Sequence, residues 1–195
     1  MTDVLPLILA SSSTYRRLLL ERLGLAFEVH APGVSETHLA GEPAAERARR
    51  LALEKARAVA AEHPGAMVIG SDQVAVAGEQ ILDKPGDAAR ARAQLAQLSG
   101  KSARFYTACA VLGGRPAAEL AYIDTTTVLF RTLTAAEIER YVAREQPYDC
   151  AGGFKMEGLG IALLERIENS DPTALIGLPL MWLASALRGL GYELP

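Results

Sequence analysis

Short runs of consecutive apolar residues alternate with stretches of helical period over the first half of the chain. Residues 4–10 are almost all aliphatic and read as a buried strand. Helical spacing follows over about residues 14–23, with Gly24 placed to end the helix. A longer helix is expected over about residues 43–62, stopped by Pro64-Gly65. Residues 66–70 read as a short buried strand, and residues 74–76 with 80–83 as a hairpin around Gly78. A helix over about residues 87–98 ends at Gly100. Two longer strands, residues 104–112 and 120–130, are joined by Gly113-Gly114-Arg115-Pro116. Thr134-Ala-Ala-Glu137 is a capping box that opens a helix to about residue 144. A glycine-rich loop, "QPYDCAGGFKMEGLG", leads to a strand over residues 161–167 and a last helix over about residues 179–188. Strands and helices alternate early and paired strands dominate the middle. The expected fold is therefore α/β, with a mixed twisted sheet flanked by helices.

Composition narrows the function classes. Half of the 195 residues are hydrophobic, enough for a sizeable core. The net charge of −3 argues against a general nucleic-acid or membrane-surface binder, which needs a basic face. Any anion site must then be local. Cys109 and Cys150 lie far apart with no C-x-x-C, so neither a disulfide framework nor a zinc site is expected. A reducing cytoplasm is the simplest compartment. The N-terminal apolar run is too short for a signal peptide or a membrane helix, and no basic region precedes it.

The first strand runs into "SSSTYRR". Ser11, Ser13 and Arg16 stand where a strand meets a helix N-terminus, the region where open α/β sheets bind ligands. Hydroxyl donors, unpaired helix N–H groups and a fork-shaped cation suit phosphate. The plainer account is a serine N-cap with solvated arginines. A second apolar run, "AMVIG", leads into Ser71-Asp72-Gln73. That places a carboxylate at the mouth of a buried strand, where it can bind a metal or deprotonate water, unless it merely makes an Asx-turn. Lys55 sits on the apolar stripe of its helix, with Leu51 and Val59 four residues to either side. It either snorkels or points its ammonium into a cavity. Lys84, in "LDKPG", Lys155, in "AGGFKMEG", and the loop acids Glu36 and Glu157 would each alone be read as solvated surface. His30, His38 and His63 fit no metal or triad spacing, and neither a Walker A pattern nor G-x-G-x-x-G occurs.

Taken in order, "LILASSSTYRR", "EKARA", "IGSDQV", "DKP", "LSGKSARFYT", "CAGGFKMEG" and "GLPL" resemble the Maf family of nucleotide pyrophosphatases over nearly the whole chain. The resemblance implies one domain over residues 1–195, two-lobed with the active site in the cleft, and related in fold to the inosine triphosphate pyrophosphatases. It implies cleavage of a nucleoside triphosphate between the α- and β-phosphates, a divalent cation (Mg²⁺ or Mn²⁺), a homodimer, and no nucleic-acid or membrane partner. It maps the catalytic acid onto Asp72, phosphate binding onto Ser11, Ser13, Arg16, Lys55 and Lys84, and metal binding onto Glu36 and Asp72. Arg17 and Lys155 are additional candidates. The closest branch is the one that hydrolyses 7-methyl-GTP as house-cleaning of modified nucleotides, with Tyr15, Gln73 and Glu157 as its base-reading residues. The dTTP/UTP branch, which typically carries Arg, Thr and Gln at those positions, is the alternative. A non-enzymatic regulator of septum formation is an alternative of another class. Two positions depart from the family pattern: Thr14 stands where Pro is frequent, and Asp83 stands where Gly usually precedes Lys-Pro.

Overall fold

The computed structural model describes residues 4–114 and 117–195. Arg115 and Pro116, half of the expected connection after Gly114, lie outside the described residues. Among the described residues the chain forms seven strands in one sheet, ordered β2-β1-β3-β5-β6-β7 with β4 paired to β3, and five α-helices. β1 is Leu7–Ala10, β2 Glu28–His30, β3 Met67–Ala77, β4 Gln80–Leu82, β5 Ser102–Gly113, β6 Ala118–Phe130 and β7 Leu164–Glu168. The helices are α1 Thr14–Glu21, α2 Ala44–Glu62, α3 Ala88–Leu98, α4 Ala135–Glu145 and α5 Leu180–Gly189. β1 runs parallel to β2 and β3, whereas β3–β4 and β6–β7 are antiparallel. The mixed α/β class expected from the sequence is the one observed.

The chain divides into two compact units, and three strands pass from one to the other. The first comprises Met1–Gln73, Thr107–Asp124 and Asp171–Pro195. Its core follows from strand alternation. Leu7 and Leu9 of β1 and Met67 and Ile69 of β3 share one face with Leu19 and Leu20 of α1 and Leu180, Leu183 and Leu187 of α5. Val68, Gly70 and Asp72 point to the opposite face. There α2 presents a buried stripe of Ala48, Leu51, Ala52, Lys55, Ala56 and Val59. Gly70 sets how close that helix comes: a Cβ there would sit 2.2 Å from the Ala52 carbonyl oxygen and 2.7 Å from the Ala56 nitrogen. With no side chain at Gly70 and only methyls at Ala52 and Ala56, helix backbone rests directly on strand backbone.

The second unit comprises Val74–Tyr106 and Thr125–Ser170. Phe154 packs against Phe105 (6.2 Å between ring centres) and edge-on against Phe130 (5.5 Å). Thr134 and Glu137 form the expected capping box at the start of α4. The hairpin at Gly78 forms, with Ala77 opposite Gln80. The turn Ala151–Gly153 brings Gly152 and Gly153 to φ of 73° and 63°, a region L side chains rarely adopt.

Three elements differ from the sequence reading. The two runs expected as residues 66–70 and 74–76 are one strand, β3, so Ser71, Asp72 and Gln73 lie within a strand rather than at its mouth. The polar triplet does not break the strand because each side chain finds partners: Ser71 and Gln73 reach the 174–177 turn and Asp72 reaches Lys55. The short edge strand β2 has too few residues for an alternation to register. The last strand begins at Leu164 rather than residue 161, because Leu159–Leu163 winds into a 3₁₀ turn. No helix among the described residues is long and apolar enough to cross a membrane.

Candidate active site

The β1–α1 corner is built by local bonds. Ser13 caps α1 and accepts from the Arg16 amide at 3.4 Å, while its own amide donates to Ser11 Oγ at 3.1 Å. Ser11 is buried and Ser13 half-buried. The two arginines that follow diverge. Arg17 is exposed and reaches Glu21 at 3.8 Å, one turn on, as a solvated helix pair does. Arg16 turns inward, and its Nε donates to the Gly177 carbonyl at 2.9 Å. Desolvation lowers its guanidinium from the ordinary value, opposed by the charges of Asp72 and Glu36. The plainer account holds for Ser13, an N-cap, and for Arg17, a solvated pair, while Arg16 departs from it by turning in beside two acids.

Those two acids meet on Lys55. Lys55 is 5 % exposed and Asp72 6 %. Lys55 Nζ donates to Asp72 Oδ1 at 2.6 Å and pairs with Glu36 Oε1 at 2.5 Å. The position follows from two periods. Lys55 lies on the α2 stripe that packs over Gly70, and Asp72 is two residues from Gly70 and so on the same face of β3. Lys55 therefore does not snorkel outward; it ends at a carboxylate. Buried charges persist when paired and hydrogen-bonded, and Lys55 is paired with the buried Asp72 and with Glu36, whose side chain stays 57 % exposed.

The opposite face of β3 carries Ser71 and Gln73. Ser71 Oγ lies 2.8 Å from the Ala108 carbonyl and 2.9 Å from the Gly177 carbonyl, so its single proton is shared between them. Gln73 Nε2 donates to Thr107 Oγ1 at 2.9 Å and to the Ala174 and Leu175 carbonyls at 3.1 and 3.0 Å. Thr107 donates to Ala174 as well, at 2.9 Å. The Gln73 amide thus anchors the 174–177 turn, a structural duty the sequence did not suggest. That turn in turn receives Arg16. Its far end is tied by Asp171, which accepts from Thr173 and, at 2.7 Å, from the Met181 amide at the start of α5.

Lys84, Lys155 and Glu157 belong to the second unit. Lys84 is exposed, on a segment whose Asp83 carbonyl accepts from Gln94 Nε2 at 2.9 Å. Glu145 organises the loop carrying the other two. It accepts from the Leu159 amide at 2.6 Å and pairs with Lys155 Nζ at 3.1 Å. The Tyr141 hydroxyl holds the Lys155 amide at 3.0 Å. Glu157 is exposed, but desolvation by its surroundings raises its carboxyl above the ordinary value, against the pull of Lys155. Glu145 escaped the sequence reading, although an acid in the last turn of a helix opposes the macrodipole and was a signal that it serves something else.

Tyr15 is half-buried at the first turn of α1. Cys109 is buried, which raises its thiol pKa, and Cys150 is half-buried; neither is in a disulfide. Among the described residues no three His, Cys, Asp or Glu side chains form a metal-holding group.

The fold and these clusters define a mixed-sheet α/β protein with a serine–arginine corner beside a buried lysine–carboxylate group. The chain belongs to the Maf family: the profile described as Maf-like protein matches residues 6–190. It is 54% identical over 189 residues to a protein of Xanthomonas oryzae pv. oryzae (strain MAFF 311018) named 7-methyl-GTP pyrophosphatase, covering 97% of this chain and 98% of that one. Relatives of the same name occur in Cupriavidus metallidurans, 54% identical over 95% of this chain and 94% of that one, and in Thiobacillus denitrificans, 52% identical over 96% and 93%.

Proposed function

We propose that this protein hydrolyses 7-methyl-GTP to 7-methyl-GMP and pyrophosphate, removing a modified nucleotide. The observation that carries this reading is the near-full-length identity to proteins named for that reaction, joined to the acid–lysine group beside the serine corner. A triphosphate bears several charges, and the chain is acidic overall. Ser11, Ser13 and Arg16 offer donors and a cation at one corner. Lys55 adds a buried ammonium. Asp72, fixed by Lys55, orients the attacking water and accepts its proton as that water attacks the α-phosphorus. Arg16 and Lys55 then stabilise the departing pyrophosphate.

Glu36 and Asp72 are the residues that would hold a divalent cation. Both are hard oxygen donors and both already converge on one cationic atom, Lys55 Nζ. Mg²⁺ is commonly held by one or two carboxylates, with substrate phosphate oxygens and waters completing its shell, so the pair suffices without a third protein ligand. Bound there, the cation would neutralise phosphate charge.

We propose that Tyr15 and Glu157 read the base; Gln73, whose Nε2 holds the 174–177 turn, keeps its Oε1 for that task. Methylation at N7 makes the purine cationic, and an aromatic face attracts such a ring by about 0.5–2 kcal/mol. A carboxylate accepts from guanine N1–H and the exocyclic amine together, an arrangement that neither thymine nor uracil offers.

One assay tests the reading: pyrophosphate release from 7-methyl-GTP, GTP, dTTP and UTP by wild type and Glu157→Gln, with and without chelation. Wild type should prefer 7-methyl-GTP, Glu157→Gln should lose most of that preference, and chelation should stop turnover until Mg²⁺ or Mn²⁺ is restored. A wild-type preference for dTTP or UTP would move the protein to the other branch. Full activity after chelation would remove the cation.

A further inference from the structure

Arg47 is a charged residue with no role in the chemistry proposed for this site, and it is only 9 % exposed. It lies eight residues before Lys55 on the same buried stripe of α2. Its Nη2 donates to the Glu36 carbonyl at 3.2 Å, and its Nη1 lies against the His38 imidazole, 2.5 Å from Nε2 and 2.9 Å from Nδ1. Its buried Nε makes no hydrogen bond among the described residues. A guanidinium buried with one N–H unmatched is a poor stabilising device, because desolvation is not fully repaid. What it does accomplish is local: it grips the backbone of the residue whose carboxylate sits on Lys55.

A second arginine of α2 grips the same segment further along. Arg50 holds Glu42 through two bonds, Nε to Oε1 at 2.6 Å and Nη2 to Oε2 at 2.7 Å, and also donates to the Thr37 carbonyl at 3.3 Å. Glu54 braces Arg50 from one turn on, at 3.1 Å. The segment between β2 and α2 is otherwise loop, with Ser35, Glu36, Thr37 and His38 all exposed. An exposed loop carboxylate loses much conformational entropy when held at one nitrogen. Two guanidiniums on successive turns of a rigid helix absorb that cost in advance.

We propose that Arg47 is a positioning residue: by holding the Glu36 carbonyl and the His38 ring, it keeps the Glu36 carboxylate on Lys55 and so sets the Glu36–Lys55–Asp72 arrangement. This rests on the reading of Glu36 as an active-site residue. Arg50 fixes the far end of the segment, and Arg47 fixes the residue itself.

The test compares wild type, Arg47→Met, Glu36→Gln and the double variant, with Arg57→Ala as control; Arg57 makes an exposed pair with Glu119 at 2.8 Å. Methionine keeps the buried stem and removes the charge. Two readouts are taken: pyrophosphate release from 7-methyl-GTP, and amide hydrogen exchange. Arg47→Met should lower kcat/KM roughly 10- to 100-fold, the scale on which small misplacements of a catalytic group act. The double variant should be no more than about twofold worse than Glu36→Gln, since both changes remove one function. Exchange should accelerate over residues 33–42 but not over residues 48–60, and Arg57→Ala should match wild type throughout. If Arg47→Met fails to fold, Arg47→Lys carries the same test, because its ammonium cannot reach carbonyl and ring together. Unchanged exchange over residues 33–42, or losses that add in the double variant, would overturn the proposal. If Glu36→Gln alone is fully active, the functional reading of Glu36 fails, while the exchange data still decide whether Arg47 positions the segment.

Discussion

Replacing Asp72 with asparagine is expected to lower kcat on 7-methyl-GTP by about 10²–10⁴-fold, the usual range for loss of a general base. The amide keeps the shape of the carboxylate and can still accept a bond from Lys55, which donates at 2.6 Å in the native protein. Lys55 also retains Glu36 at 2.5 Å, so its ammonium is not stranded without a counter-charge. The fold should therefore survive, and circular dichroism with a cooperative melt will show whether it does. What the amide cannot do is take a proton from water. A folded Asp72→Asn protein that releases pyrophosphate at close to the native rate would eliminate Asp72 as the base.

Lys55→Met should be costly in two ways. The buried ammonium is the partner of Asp72, and breaking a buried pair by removing one member costs about 3–5 kcal/mol. The melting temperature should fall accordingly. Turnover should fall too, because the ammonium that stabilises the departing pyrophosphate and fixes Asp72 is gone. The two losses can be separated. Divalent cations added to Lys55→Met should restore part of the melting temperature, since a cation held by Glu36 and Asp72 then supplies the counter-charge the ammonium gave, while turnover remains depressed. Native kinetics in this variant would show that Lys55 is a core lysine with no part in the chemistry.

The legible parts of this molecule are those written in local periods. The apolar stripe of α2 puts Lys55 on the buried face and leaves open only whether it snorkels; in the folded chain it is 5 % exposed and ends at a carboxylate. The Thr134 capping box and the Gly78 hairpin are likewise readable, because a few adjacent residues decide each of them. Asp72 is legible as a candidate but not in its place. A polar triplet between two apolar runs looks like a strand end, and only long-range partners at Lys55, Thr107 and the 174–177 turn make it strand interior. Arg47 shows the same limit. It stands on the same stripe as Lys55, so its burial is open to the same periodicity argument, but nothing local says that it holds the Glu36 carbonyl. The Gln73 amide anchors a turn about one hundred residues downstream, a contact no local pattern encodes.

The most direct measurement of the central claim is hydrolysis of 7-methyl-GTP in ¹⁸O-labelled water, with both products weighed by mass spectrometry. In the proposed reaction, water oriented by Asp72 attacks the α-phosphorus, and the bond from that phosphorus to the bridging oxygen breaks. The account predicts one ¹⁸O in each 7-methyl-GMP and none in the pyrophosphate. Label in pyrophosphate, release of orthophosphate with a nucleoside diphosphate, or no turnover of 7-methyl-GTP at all would contradict it.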